Sequence, residues 1–350
     1  MKDAAIPPLA IKTLTAADRE RWDAFVLACR EATFFHRAGW QEAIEASFGH
    51  QTHYLYAERD GEICGVLPLI HVNSRLFGRS LVSTSFAVYG GPAAVDDEAR
   101  AALDAKAIAL AESLDVDHLE YRSRVPHRPD WAVKNDLYVT FRKAISADHD
   151  ANMKAIPRKQ RAMVRKGING GLRSEIDESV DRLHHIYAAS VRALGTPVFP
   201  KAYFAALKCI FGRDCDIVTI VTGDGQAIAS VLNFYFRDEV LPYYGGGTEA
   251  ARDHAGNDFM YWEVMRRAAD RGYRLFDFGR SKQGTGAFSF KKNWGFVPEP
   301  LQYQYYLRRG DSLPEINPLN PKYRMAIAIW KRLPLPLTKL LGPTIVRNLG

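Results

Sequence analysis

Apolar residues fall in two matching series along this chain. In the first, Phe35, Trp40 and Phe48 lie along one helical stripe that ends at Gly49; in the second, Phe199, Phe204 and Phe211 precede Gly212 at nearly the same spacing. Each stripe is followed by a strand-like run and an Asp-Gly turn, His53–Ala57 before Asp60-Gly61 and Ile217–Ile220 before Asp224-Gly225. Asp-Gly between apolar runs predicts a hairpin, with returning strands over 63–70 and 227–236. A further strand is predicted to end in Tyr89-Gly90-Gly91 in one half and in Tyr244-Gly245-Gly246-Gly247 in the other. Helices follow over 97–114 and 257–271, and each feeds a short strand reading apolar, acidic, aromatic, then Arg-Ser: residues 118–123 and 275–281.

Five signals in one order at similar spacing imply a tandem duplication. The unit is helix, hairpin, strand, helix, strand, so the expected class is α/β of the α+β kind, with mixed, largely antiparallel sheets flanked by helices. The expected division is 1–150, then 151–310 opening with a basic helix, then a Pro-rich arm over 311–350. Pro314, Pro318, Pro321, Pro334, Pro336 and Pro343 break that arm into short pieces, with a basic, apolar helix over 323–333. Such a helix either packs its apolar face on the domain or lies on a membrane surface. No GxGxxG follows a strand and no GxxxxGK[ST] is present, so dinucleotide and P-loop chemistry lack their motifs.

The run Phe276-Asp277-Phe278-Gly279, then Phe290-Lys291-Lys292-Asn293-Trp294-Gly295, resembles the FemAB-like proteins of the GNAT acyltransferase superfamily. The segments Phe35-His36-Arg37-Ala38-Gly39-Trp40 and Gly65-Val66-Leu67-Pro68-Leu69 are similar to that family's first half, and Ile156–Arg161 with Gly167 to its inter-domain helix. The likeness covers roughly 20–308 and is greatest to the FemAB-related proteins of exosortase and exopolysaccharide systems. It implies two GNAT-like domains and a cytoplasmic acyl- or aminoacyltransferase acting on an envelope or exopolysaccharide-related precursor, a small molecule, glycan or peptide. The first domain would serve mainly the acceptor and the second the donor. No long heptad segment is present for the coiled-coil arm of some members, so acyl-CoA, acyl carrier protein and aminoacyl-tRNA all remain open as donors.

Composition adds bounds. Of 350 residues, 47% are hydrophobic and 25% charged, which fits a globular chain with a sizeable core. A net charge of +7 suits an anionic partner, a phosphorylated cofactor, RNA or a membrane, without choosing among them. Four scattered cysteines (Cys29, Cys64, Cys209, Cys215) and no signal-like apolar run over Met1–Ala10 lead to a cytoplasmic expectation.

Acyl transfer to an amine needs a place for the amine's proton, stabilisation of the carbonyl oxygen, and alignment. Lys291, just past Gly284-Thr285-Gly286, could bind phosphate or stabilise an oxyanion, and it matches the Lys of the family's Phe-Lys motif. Asp277 could accept the amine proton, or pair with Arg280 or cap its loop. Arg280, Tyr243, Tyr244, Trp294, His36 and Trp40 are candidate substrate contacts. Arg158, Arg161 and Arg165 recur at i, i+3, i+7 and could hold pyrophosphate or a tRNA backbone, or simply face solvent. His50, His53, His184 and His185 find no carboxylate or Cys at ligand spacing, so no metal is expected, and no DNA partner either. A non-catalytic module binding a nucleotide-sugar or glycan precursor, and an RNA-binding protein, stay as alternatives.

Overall fold

The Asp-Gly turns form as the pattern asks. Asp60 and Gly61 both take left-handed backbone, φ 53° and 80°, and Arg59 faces Glu62 across the two-residue turn. The second hairpin closes over five residues, with Gly225 left-handed at φ 87°.

The computed structural model describes residues 8–74, 77–310, 312–313 and 321–349. Its first elements are β1 (Ala10–Thr13), α1 (Arg19–Ala28), α2 (Ala38–Phe48), β2 (Gln51–Arg59), β3 (Glu62–Ser74), β4 (Gly78–Ser83), β5 (Ala93–Ala94), α3 (Asp97–Ser113), β6 (His118–Tyr121) and β7 (Ala132–Lys134). Then come β8 (Tyr138–Ala144), α4 (His149–Ala155), α5 (Arg158–Asn169), β9 (Arg173–Ile176), α6 (Asp181–Leu194), α7 (Lys201–Phe211), β10 (Cys215–Val221), β11 (Ala227–Phe236) and β12 (Glu239–Gly247). The last are α8 (Glu249–Asp253), α9 (Gly256–Asp270), β13 (Leu275–Asp277), β14 (Ser281–Lys282), α10 (Gly286–Asn293), β15 (Pro298–Pro300), β16 (Tyr303–Leu307), α11 (Pro321–Arg332) and α12 (Leu335–Val346).

The described residues fall into two compact units. One comprises those within 1–135, 301–314 and 348–350; the other those within 136–300 and 315–347. The first unit's sheet runs β1-β2-β3-β4-β6-β16-β7, with β5 beside β3. Leu55, Leu67, Leu81 and Leu119 from four of its strands pack with Leu103 and Ala107 of α3. The second unit's sheet runs β9-β10-β11-β12-β13-β8-β14, with β15 beside β8. Val218, Val231, Val240, Phe276 and Phe141 pack there with Met260, Val264 and Ala268 of α9.

Step by step, the two sheets match. Every neighbour is antiparallel except the fifth strand, which is parallel to the fourth: β4 with β6, β12 with β13. In each unit two helices lie between the first strand of the sheet and the hairpin, α1 and α2 in one and α6 and α7 in the other; α3 joins the parallel pair of the first unit, and α8 with α9 that of the second. This is a tandem duplication of one mixed α/β module. In each sheet the sixth strand is supplied from a distant part of the chain. β16 enters the first sheet between β6 and β7, and β8 enters the second between β13 and β14. The units therefore do not divide at 150 and 310.

Three local expectations change. Residues 84–91 are not a strand; β4 ends at Ser83, and Thr84 and Phe86 turn the chain with φ 55° and 63°. The basic segment is two helices, because Pro157 separates α4 from α5. The arm carries a second helix, α12, which tolerates Pro336 in its first turn, where no N–H is required, and also holds Pro343. Pro314 and Pro318 lie outside the described residues. Among the described residues no helix is long and apolar enough to cross a membrane.

Candidate functional site

In the second unit β12 and β13 pair over only two positions, Glu239 with Leu275 and Val240 with Phe276. β12 then continues to Gly247 along β11, whereas β13 ends at Asp277 and pairs with β8. The parallel strands part at their C-terminal ends, where open α/β sheets place ligands. Two elements serve this opening: the loop after β13 with α10, and the run from β12 into α9.

Lys291 lies in the last turn of α10. Its Nζ donates to three successive carbonyls of the loop after β13: Phe278 at 2.6 Å, Gly279 at 3.1 Å and Arg280 at 3.1 Å. An ammonium has three protons, so this cage uses all of them. Burial pushes the Lys291 pKa down to about 7; the Asp277 carboxylate opposes the shift and Arg280 adds to it. The result is one cation held rigidly beneath a turn, at a pKa near neutrality.

Asp277 is fully buried. Its carboxylate accepts from the Gly279 N–H at 2.7 Å and from Arg142 Nε at 3.2 Å. Arg142 stands directly opposite it on β8 and also pairs with Glu239. Asp277 thus caps its loop, as one reading anticipated, but its ion-pair partner is Arg142 and not Arg280. The sequence held no signal for Arg142, because nothing local places β8 beside β13. The Arg280 guanidinium instead lies 4.6 Å from the ring centre of half-buried Tyr138.

Several candidate contacts are structural. Trp294 is fully buried and donates from Nε1 to Asp258 at 2.9 Å. Tyr244 is buried among Tyr187, Phe199 and Phe204, and its hydroxyl meets that of Tyr203 at 3.0 Å. Tyr243 is half-buried against Phe234. The glycines after it are there for close approach: a Cβ on Gly246 would lie 2.4 Å from Ser190 Cβ, and one on Gly247 2.5 Å from Asn257 Oδ1. In the first unit His36 and Trp40 are also buried. His36 accepts at Nδ1 from the Thr33 N–H and donates from Nε2 to the Gly91 carbonyl, a neutral imidazole with both nitrogens engaged. Trp40 donates to the Ser85 carbonyl. The polar atoms of His36 and Trp40 are thus met by backbone groups within the core, and those of Trp294 and Tyr244 by buried side chains.

The basic face survives intact. Arg158, Arg161, Arg165 and Lys166 line one concavity of about 570 Å³ on α5. None of the four forms a salt bridge among the described residues, whereas many arginines elsewhere in both units do. Val164 and Gly167 form the inner face of α5, and a Cβ on Gly167 would lie 2.8 Å from Phe259 in the first turn of α9. The four cations lie on the opposite, outward side of α5. Among the described residues no cluster of three or more His, Cys, Asp or Glu could hold a metal.

The acetyltransferase (GNAT) domain family matches residues 153–292, which include α5, the parting strands and Lys291. None of the curated proteins matches this sequence. Among solved structures the chain is similar to FemX, with 15% identity, 91% of this chain and 100% of that one covered, and a TM-score of 0.69. It is also similar to a tandem GNAT protein from the clavulanic acid biosynthesis pathway (13% identity, 87% and 100% covered, TM-score 0.53). L-PGS from Bacillus licheniformis shares the fold at 11% identity, with 84% and 96% covered and a TM-score of 0.51. Residues 153–292 thus form a GNAT acetyltransferase-type domain, and the chain as a whole shares the fold of FemX and of a tandem GNAT protein.

Proposed function

We propose that this protein moves an acyl or aminoacyl group onto an amine of an envelope or exopolysaccharide-related precursor, with the donor held by the second unit. The observation that carries this reading is Lys291, a caged cation of lowered pKa where β12 and β13 part. The acceptor nitrogen bonds to the donor's carbonyl carbon, and the oxygen becomes negative. The C–S bond of an acyl-CoA, or the C–O bond of an aminoacyl-tRNA, then breaks as that oxygen reforms its double bond. The amine's proton leaves with the departing thiol or hydroxyl. Lys291 supplies positive charge on the side where negative charge grows, and its cage removes any need for reorganisation during the step. Asp277 is a positioning residue, holding the Gly279 turn through its own hydrogen bond and through Arg142.

Arg158, Arg161 and Arg165 would bind donor phosphates, which both acyl-CoA and aminoacyl-tRNA offer. The test is equilibrium binding of aminoacylated tRNA, uncharged tRNA and acetyl-CoA at physiological salt, with the full chain and with the triple variant Arg158→Gln/Arg161→Gln/Arg165→Gln. One donor should bind and weaken at least tenfold in the variant. Binding of no donor would overturn the reading; wild-type affinity in the variant would remove α5 from the donor site. A preference for charged over uncharged tRNA would select aminoacyl transfer.

A further inference from the structure

The C-terminal arm is held to the second unit by one face only. Trp330 Nε1 donates to the Thr196 carbonyl at 3.2 Å, and the Leu333 carbonyl accepts from Arg192 at 3.0 Å. Ile327 sits over Gly195 and Gly342 over Val198, each so close that a glycine Cβ would clash, at 2.5 Å and 2.8 Å. Thr338, Gly342 and Val346 complete the inner side of α12. Contact with the domain therefore accounts for one apolar face of α11 and α12.

A second apolar face points outward. Met325 is 76% exposed and Leu340 73%, and Ile329, Leu337, Leu341 and Ile345 are exposed with them. Their spacing, four residues in α11 and i, i+3, i+4, i+8 in α12, is a helical stripe. Of fourteen large apolar side chains exposed among the described residues, these six lie within 321–349. The same stretch contains Lys322, Arg324, Lys331, Arg332, Lys339 and Arg347 and no Asp or Glu. Exposed leucines beside unbroken positive charge fit a surface that is apolar just beneath and anionic at its face. A second copy is disfavoured by the same count, since a two-fold contact would set six cations against six with no acid between them.

We propose that the outward face of α11 and α12 docks this protein on an anionic lipid bilayer, the apolar stripe entering the headgroup boundary and the flanking cations pairing with lipid phosphate. The surface is independent of the transfer site, so the proposal stands or falls separately from the donor reading. It also gives a soluble catalytic unit access to an acceptor carried in or on a membrane.

The full-length protein is floated with vesicles of phosphatidylcholine alone and of phosphatidylcholine mixed with phosphatidylglycerol. Binding is expected only to the mixed vesicles and should fall as salt rises. Leu340→Glu, at a position open to solvent, should abolish flotation with an unchanged melting temperature. Lys331→Gln/Arg332→Gln should weaken it by about fivefold per charge removed. No flotation with either vesicle, or undiminished flotation of Leu340→Glu, would overturn the proposal. So would a concentration-dependent dimer of the wild type that Leu340→Glu dissociates in the absence of lipid binding, which would assign the stripe to self-association.

Discussion

After β4 of the first unit and after β12 of the second, the duplicated module does two different things with one position. In the first unit residues 84–91 fold back into the core, every one buried. The carbonyls of Ser85, Ala87, Val88 and Gly91 accept in turn from Trp40, Arg122, Tyr303 and His36. Four of that loop's carbonyls are taken by side chains, and left-handed backbone at Thr84, Phe86 and Gly91 is held in place by the packing around it. In the second unit the strand runs straight on through Gly245–Gly247, half-exposed, towards α8 and α9. The comparison shows how a duplication can share its framework and divide its labour. One copy closes the position with side chains, and the other leaves it open.

The buried acids sharpen this contrast most. Glu120 on β6 and Asp277 on β13 occupy equivalent places, and each is paired with an arginine, Arg122 and Arg142. Removing either arginine leaves a buried carboxylate uncompensated, which costs about 3–5 kcal/mol. Urea unfolding of Arg122→Met and Arg142→Met should show losses of that size. Only Arg142→Met should also lower kcat in the protein that remains folded; equal kcat losses would break the division of labour. Next, Lys291→Met, which removes the buried charge and its carbonyl cage, should reduce kcat by about 10²–10³, the scale of a lost electrostatic stabiliser of an oxyanion, with KM little changed. Below about pH 7 Lys291 is charged; above it the group is neutral, loses one donor and releases one carbonyl of its cage. The wild-type kcat should therefore carry a descending limb as pH rises through about 7, and Lys291→Met should lack it. A smaller effect is expected at Tyr303→Phe, which strips the Val88 carbonyl of its buried donor: about 1–3 kcal/mol of stability by thermal unfolding and no change in turnover. A change in acceptor KM there would mean that the filled loop still faces substrate.

Much of this framework was legible because it is written locally. Asp60-Gly61 and Asp224-Gly225 fix hairpins by backbone conformation, Gly49 closes α2 in left-handed geometry, and the repeat follows from their order. The stretch ending at Tyr89-Gly90-Gly91 misled because its glycines serve another purpose. A Cβ on Gly90 would lie 2.2 Å from Thr84 Oγ1, and one on Gly91 2.1 Å from Ser123 Oγ, so they permit a tight buried turn and not the end of a strand. Lys291 stands out in the sequence through its motif, yet its carbonyl cage could not be read, since it depends on how α10 lies beneath the loop after β13. Arg142 was invisible for a related reason: strand pairing across more than a hundred residues leaves no mark in either strand's own pattern.

The exchange of sixth strands has a consequence for synthesis. The first sheet lacks the strand between β6 and β7 until Tyr303–Leu307 has left the ribosome. At roughly 5–20 residues per second, the stretch from Lys134 to Tyr303 takes about 10–30 s to make. Throughout that interval β6 and β7 present open edges, and an open edge is a template for any passing strand. β8, by contrast, is already waiting when β13 emerges. The half of the chain made first is thus the half completed last, and a nascent chain stalled before residue 303 would carry a finished second sheet and an unfinished first one.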